Sequence, residues 1–101
     1  MYIYNVTVKL DPSIAREWVT WMKEEHMPEL MATGLFSRYQ LCRLLEQDDS
    51  DGPTYTAQYF CADKEQYDTY IRDYAPLMRE RGLAKFGGKF AAFRTVMAVE
   101  L

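Results

Sequence analysis

One histidine and two cysteines are all that 101 residues offer as neutral-pH bases and thiols. With so few ligating side chains, a zinc site of the usual Cys and His kind is a poor prospect, and no metal is expected. Cys42 and Cys61 read as reduced thiols on two strands of a hairpin. A hairpin loop centred near Ser50 sets Cys42 opposite a residue near Gln58 rather than opposite Cys61, so the close Cα approach that a disulfide needs is missing. The chain also lacks a basic excess. Twelve Lys and Arg against fifteen Asp and Glu leave a net charge of −3, which argues against nucleic acid, where cationic patches supply the affinity. No apolar run approaches the length of a membrane span. Neither a basic n-region nor an apolar h-region follows Met1, and the expected location is cytoplasmic. Gly82, Gly87 and Gly88 do not have phosphate-loop spacing, and no cofactor motif is expected from them. Residues 1–101 fit a single domain.

What the chain has instead is aromatic weight and regular alternation. Aromatics make up 15% of it, and eight are tyrosines, which favour half-wet places such as pocket walls and interfaces. Residues 2–10 alternate, with Tyr4, Val6, Val8 and Leu10 on one face and Asn5, Thr7 and Lys9 on the other, as in a half-buried strand. Asp11-Pro12-Ser13 opens a helix, and Ile14, Trp18, Trp21 and Met22 recur at helical spacing. Pro28 has no N–H and should end or kink that helix near Glu25–Met27, with a short piece from Glu29 to Thr33 stopped by Gly34. Phe36–Leu45 and Thr54–Ala62 read as antiparallel strands around a polar turn containing Asp51-Gly52. The acidic turn at Asp48, Asp49 and Asp51 lacks the regular ligand spacing of a calcium loop and reads as solvated. Asp63-Lys64-Glu65-Gln66 has the pattern of a capping box. Tyr67, Tyr70, Ile71 and Tyr74 follow at helical spacing, and Pro76 interrupts them. A further helical piece, Leu77–Lys85, carries Arg79 and Arg81 outward and ends at Gly87-Gly88. Phe90–Leu101 is the last strand.

The order β-α-β-β-α-β and the right-handed crossover rule define an α+β, ferredoxin-like layout. It is a four-stranded antiparallel sheet with the helices on one face. The uncovered face should carry Phe36, Cys42, Leu44 and Phe60 beside Arg38, Gln40, Thr56 and Gln58. That face is too apolar to stay open, so a sheet-to-sheet homodimer is expected, with a monomer bearing a semi-polar face as the alternative.

Several stretches together carry a family resemblance. They are Trp18-x-x-Trp21-Met22-Lys23-Glu24-Glu25-His26-Met27-Pro28-Glu29, Ala32-Thr33-Gly34-Leu35-Phe36, Tyr39-x-Leu41-Cys42-Arg43, Asp51-Gly52-Pro53-Thr54-Tyr55, Tyr74-Ala75-Pro76-Leu77-Met78-Arg79 and Phe90-x-x-Phe93-Arg94-Thr95-Val96-Met97. The chain resembles a small bacterial domain-of-unknown-function family, similar in fold to the dimeric α/β-barrel superfamily. That superfamily includes antibiotic-biosynthesis-type monooxygenases, muconolactone isomerase, haem-dependent peroxidases and rhamnose mutarotase. The resemblance implies a homodimer with a small-molecule cavity between sheet and helices. The His26-Met27-Pro28 segment is similar to that of some members, where a histidine near the end of the first helix precedes proline.

The candidate site follows from the few side chains able to do chemistry. His26 sits where the first helix breaks, beside Trp21. It is either a general base, with an arginine or tyrosine from a strand as partner, or a residue bound to the helix-end carbonyls. Arg38, Arg43 and Arg94 lie in strands, where arginine is uncommon. They are either an anion or carboxylate clamp or members of ion pairs across the dimer with Glu46, Glu100 or an aspartate. Tyr39 and Tyr59 stand among seven tyrosines that either line a pocket or simply pack. The residues named for a site are therefore His26 as catalytic and Trp21, Tyr39, Arg43, Tyr59 and Arg94 as ligand-binding. The functional expectation is a dimer binding a small metabolite, with a cofactor-independent monooxygenase- or isomerase-like enzyme as the alternative.

Overall fold

A computed structural model describes residues 1–100. Its strands are β1 (Tyr2–Leu10), β2 (Arg38–Arg43), β3 (Thr54–Cys61) and β4 (Phe90–Ala98). The first crossover holds α1 (Ala15–Trp21), a wide turn at Met22–His26, and α2 (Met27–Ala32). The second holds α3 (Lys64–Asp73) and α4 (Ala75–Phe86). The sheet order is β2-β3-β1-β4, and every neighbouring pair is antiparallel. No helix is long and apolar enough to cross a membrane.

The period-2 reading of β1 sets the two faces. Tyr4, Val6 and Val8 pair with Tyr59, Ala57 and Tyr55 on one side and with Val96, Arg94 and Ala92 on the other. This is the face the helices cover, and Tyr4, Val8, Leu10, Ala57 and Tyr59 are buried there against Trp18, Trp21, Met22, Leu30, Tyr70 and Met78. Tyr4 anchors an aromatic cluster, with ring centroids 5.4 Å from Tyr70, 5.7 Å from Tyr67 and 5.9 Å from Tyr59. The other face carries Ile3, Asn5, Thr7, Gln58, Phe60, Arg38, Gln40, Cys42, Phe93, Thr95 and Met97.

Phe36 was expected on that open face, but it lies ahead of β2 and packs on the helix side, 5.2 Å from Tyr70 and 5.5 Å from Tyr59. Its strand is shorter than the apolar pattern implied. Ser37 already begins the pairing with Phe60, which frees Phe36 from the strand's alternation. The helix around Pro28 is not broken. Proline at the start of α2 cannot donate and would crowd the preceding turn, and the helix accommodates it by widening at Met22–His26. At α3 the capping box is complete: Asp63 Oδ1 accepts from Gln66 N, and the Gln66 side chain accepts from Asp63 N. Cys42 is exposed on one face of the sheet, Cys61 is buried on the other, and both are unpaired.

Lys9 closes the loop between β2 and β3. Its Nζ donates to the carbonyls of Gly52 (2.6 Å) and Asp48 (3.3 Å) and pairs with Asp51 (2.9 Å). In the acidic turn, Asp51 is thus paired with Lys9 and Asp49 with Arg43. Gly52 has φ +121°, and a Cβ there would overlap the Leu10 carbonyl oxygen. Gly52→Ala should therefore cost at least about 2 kcal/mol, a loss that chemical denaturation reads as a lower midpoint with an unchanged slope.

Candidate functional site

Between the sheet and the helices lies a cleft with about 530 Å³ of empty space, its open mouth included. The sheet contributes Tyr4, Val6, Tyr59 and Arg94, and the helices contribute Trp18, Trp21, His26, Met78, Arg79 and Gly82. Its walls are mainly apolar and aromatic with a few polar groups, the usual make-up of a small-molecule site.

The wide turn is what brings His26 to this cleft. Around an ideal α-helix, residues five apart are about 140° apart, on different sides. Here the Met27 N–H donates to the Met22 carbonyl, five residues back, and the extra residue per turn swings His26 onto the side of Trp21. The two rings stack with centroids 4.5 Å apart and planes at 21°. Trp21 in turn meets Phe86 edge-on at 5.3 Å. Gly82 of α4 lies under the same indole, where a Cβ would sit 3.6 Å from Trp21 Cη2. Any larger side chain at that position would extend into the cleft.

Burial, and then the positive charges of Arg81 and Arg94, lower the His26 pKa to about 4. The imidazole is neutral at pH 7. Its Nδ1 is buried and has no protein partner, so a hydrogen-bonding capacity is left unused there. Burial raises the phenols of Tyr59 and Tyr70, which keeps both as neutral hydroxyls. Arg94 projects from the helix-facing side of β4, opposite Val6. Arg81, by contrast, is tied to Glu29.

Of the residues singled out in the sequence, Trp21, His26, Tyr59 and Arg94 come together in this cleft. Tyr39 and Arg43 do not. Tyr39 lies on the edge strand with 40% of its surface exposed. Arg43 pairs with Asp49 of the neighbouring loop at 2.8 Å and borders a shallow groove with Arg16, Thr20 and Tyr55. Trp18, tilted against Tyr55 at 5.6 Å, stands between that groove and the cleft. Arg38 stacks over the Phe60 ring at 3.9 Å on the open face. Sequence reasoning missed Arg79, expected outward, and Gly82. Both share a helical face with Ala75, Met78 and Phe86, and the small residues in that stripe were the available signal. Among the described residues, no three His, Cys, Asp or Glu side chains gather as a metal site would require.

This architecture and cleft place the chain among α+β proteins with a covered four-stranded sheet, and solved structures of that kind align along its whole length. One is an ethyl tert-butyl ether d (ethd) family protein from Bacillus halodurans C-125, with a TM-score of 0.68, 12% identity, and coverage of 98% of this chain and 99% of that one. A dimeric ferredoxin-like protein of unknown function from Jannaschia sp. CCS1 has a TM-score of 0.57 and 16% identity, covering 98% and 100%. A dimeric ferredoxin-like protein from an uncultured marine organism has a TM-score of 0.62 and 12% identity, covering 100% and 96%. At these identities the likeness is one of fold. The chain belongs to the family described as Domain of unknown function (DUF4286), whose model matches residues 1–100. No curated protein matches it.

The neutral His26 has a consequence for stability. Its folded pKa of about 4 lies below the ordinary 6.5, so the unfolded chain takes up a proton first as the pH falls. The contribution is complete above pH 6.5 and is lost progressively between there and pH 4, about 3 kcal/mol in all. Between pH 7.5 and pH 4 the wild type should lose about 3 kcal/mol of stability relative to His26→Gln, read from denaturation midpoints, and parallel curves would contradict a depressed His26 pKa.

Proposed function

We propose that this protein is a cytoplasmic homodimer, packed sheet to sheet, that binds a small metabolite between its sheet and its helices. The observation that carries the binding reading is the aromatic cleft holding an unpartnered, neutral His26 beside Arg94. Buried polar atoms nearly always find partners, and a ligand hydroxyl or amide would satisfy Nδ1. A helical glycine at position 82 supports the same reading. Glycine costs a helix about 1 kcal/mol relative to alanine, and here it leaves room beside Trp21.

Support for the dimer comes from the uncovered face. Phe93 is 63% exposed and Met97 38%, and the buried Asn5 on the same face leaves its Oδ1 unpaired although its Nδ2 reaches Thr7 and Thr95. Two of the structural neighbours, the Jannaschia and the marine proteins, are described as dimeric. Two unpaired thiols accord with a reducing compartment.

A second reading is a cofactor-independent monooxygenase- or isomerase-like enzyme with His26 as base and Arg94 steadying the developing anion. The unpartnered Nδ1 favours it, but a pKa near 4 makes the imidazole a weak base. Acceptance of a hydrogen bond fits that value better than proton abstraction, so binding is the leading reading.

Light scattering should give twice the 11.9 kDa chain mass, and Phe93→Glu should return it to the monomer mass with the fold intact. A monomeric wild type at micromolar concentration would remove the dimer. A thermal-shift screen with small acids, phenols, flavins and haem tests the cleft. One ligand class should stabilise the wild type and fail to stabilise Gly82→Leu, whose side chain fills the space beside Trp21. Gly82→Ala by itself should raise the melting temperature by a few degrees, corresponding to about 0.5–1 kcal/mol.

A further inference from the structure

The charge on the cleft wall is of one sign. Among its lining residues there is no Asp or Glu, while Arg79 and Arg94 are both present. This holds in a chain whose net charge is −3. Six of the twelve cations are paired: Lys9, Arg43, Lys64, Arg72, Arg81 and Lys85 each meet a carboxylate. Neither Arg79 nor Arg94 has one among the described residues. Arg16, Lys23, Arg38 and Lys89 lack a carboxylate there as well, so what sets the cleft apart is two arginines on a wall without an acid. The two come from different elements, α4 and β4, and both line this one cleft. Arg94 also acts on His26. Arg81, two residues along α4 from Arg79, is held by Glu29. An anion entering this opening meets two guanidiniums and no carboxylate.

We infer that the cleft takes an amphipathic carboxylate: Arg79 and Arg94 grip the acid at the mouth, and an apolar, ring-sized body lies against Trp18, Trp21 and Tyr59. The inference rests on the binding reading above and names the class of its ligand. Guanidinium presents a flat fork that matches a carboxylate with two parallel hydrogen bonds. A phosphate site of the usual build would add a glycine-rich helix start, and α4 lines the cleft with its middle turns instead. The neutral His26 and the two raised phenols then serve hydroxyl or carbonyl groups on the ligand body, because they hydrogen-bond without adding charge.

The test uses a matched pair of probes on the full-length protein, 2-naphthoate and 2-naphthamide, by titration calorimetry at pH 7.5 in low salt. They share one ring system and differ in charge. Naphthoate should bind at least tenfold more tightly than the amide, the ratio expected of a charge-assisted hydrogen bond. Arg79→Met and Arg94→Met should each bring naphthoate toward the amide's affinity and leave the amide unchanged. Arg94→Lys, which keeps the charge and loses the fork, should fall between. Melting curves should show that the variants fold, since both side chains are exposed. Equal affinity of acid and amide, both lost in Gly82→Leu, would overturn the carboxylate inference and leave the binding cleft standing. Absence of binding by either probe, or binding that Gly82→Leu does not reduce, would overturn the inference together with the reading beneath it.

Discussion

Trp21 is the contact on which the two halves of the structure depend. One indole stacks on His26, meets Phe86 edge-on and covers Gly82. It thereby joins the first helical crossover to the second across the top of the sheet. Both crossovers must sit over the same face, because β1 turns only one apolar side toward them. The widened turn at Met22–His26 follows from the same constraint. Pro28 forbids a regular helix at that point, and the extra residue sets the histidine against the tryptophan rather than out in solvent.

The cleft results from incomplete filling of the space beneath that junction. Bulky aromatics hold the helices off the sheet, and Gly82 leaves part of the gap empty. Close packing is the rule in protein interiors, and a glycine kept in a helix at the edge of a void works against both helix propensity and density. Functional sites are where such local costs are retained. The burial that makes the cleft apolar also discharges His26, so the polar groups within it are neutral and the charge is confined to its arginines.

Strands, caps and topology were legible because each leaves a short-range signal. The alternation of Tyr4, Val6 and Val8, the Asp63–Gln66 box, the Asp-Gly turn and the paired helical stripes all act within a few residues. Three things were not legible. Phe36 reads as a strand residue but packs with the helices, since the strand begins two residues later. Proline signals a helix break, yet a widened turn satisfies the same steric demand, and only that turn puts His26 beside Trp21. Arg79 reads as an outward charge, because whether an arginine on the edge of an apolar stripe meets water or a cleft depends on what the sheet opposite supplies. Arg43 shows the reverse. Its strand position resembles that of Arg94, but Asp49 in the adjoining loop already binds it.

An aromatic cleft with Arg94 on its wall holds the His26 imidazole neutral. With one histidine in the chain, its ring resonances need no assignment experiment, and their titration by nuclear magnetic resonance reads the site directly. In the free protein the imidazole should stay neutral until the pH falls to about 4. A bound carboxylate, placed against Arg94, should move the midpoint upward by offsetting the arginine's charge. A midpoint near the ordinary value of 6.5 in the free protein would mean that His26 is bathed in water, and would contradict the cleft as described.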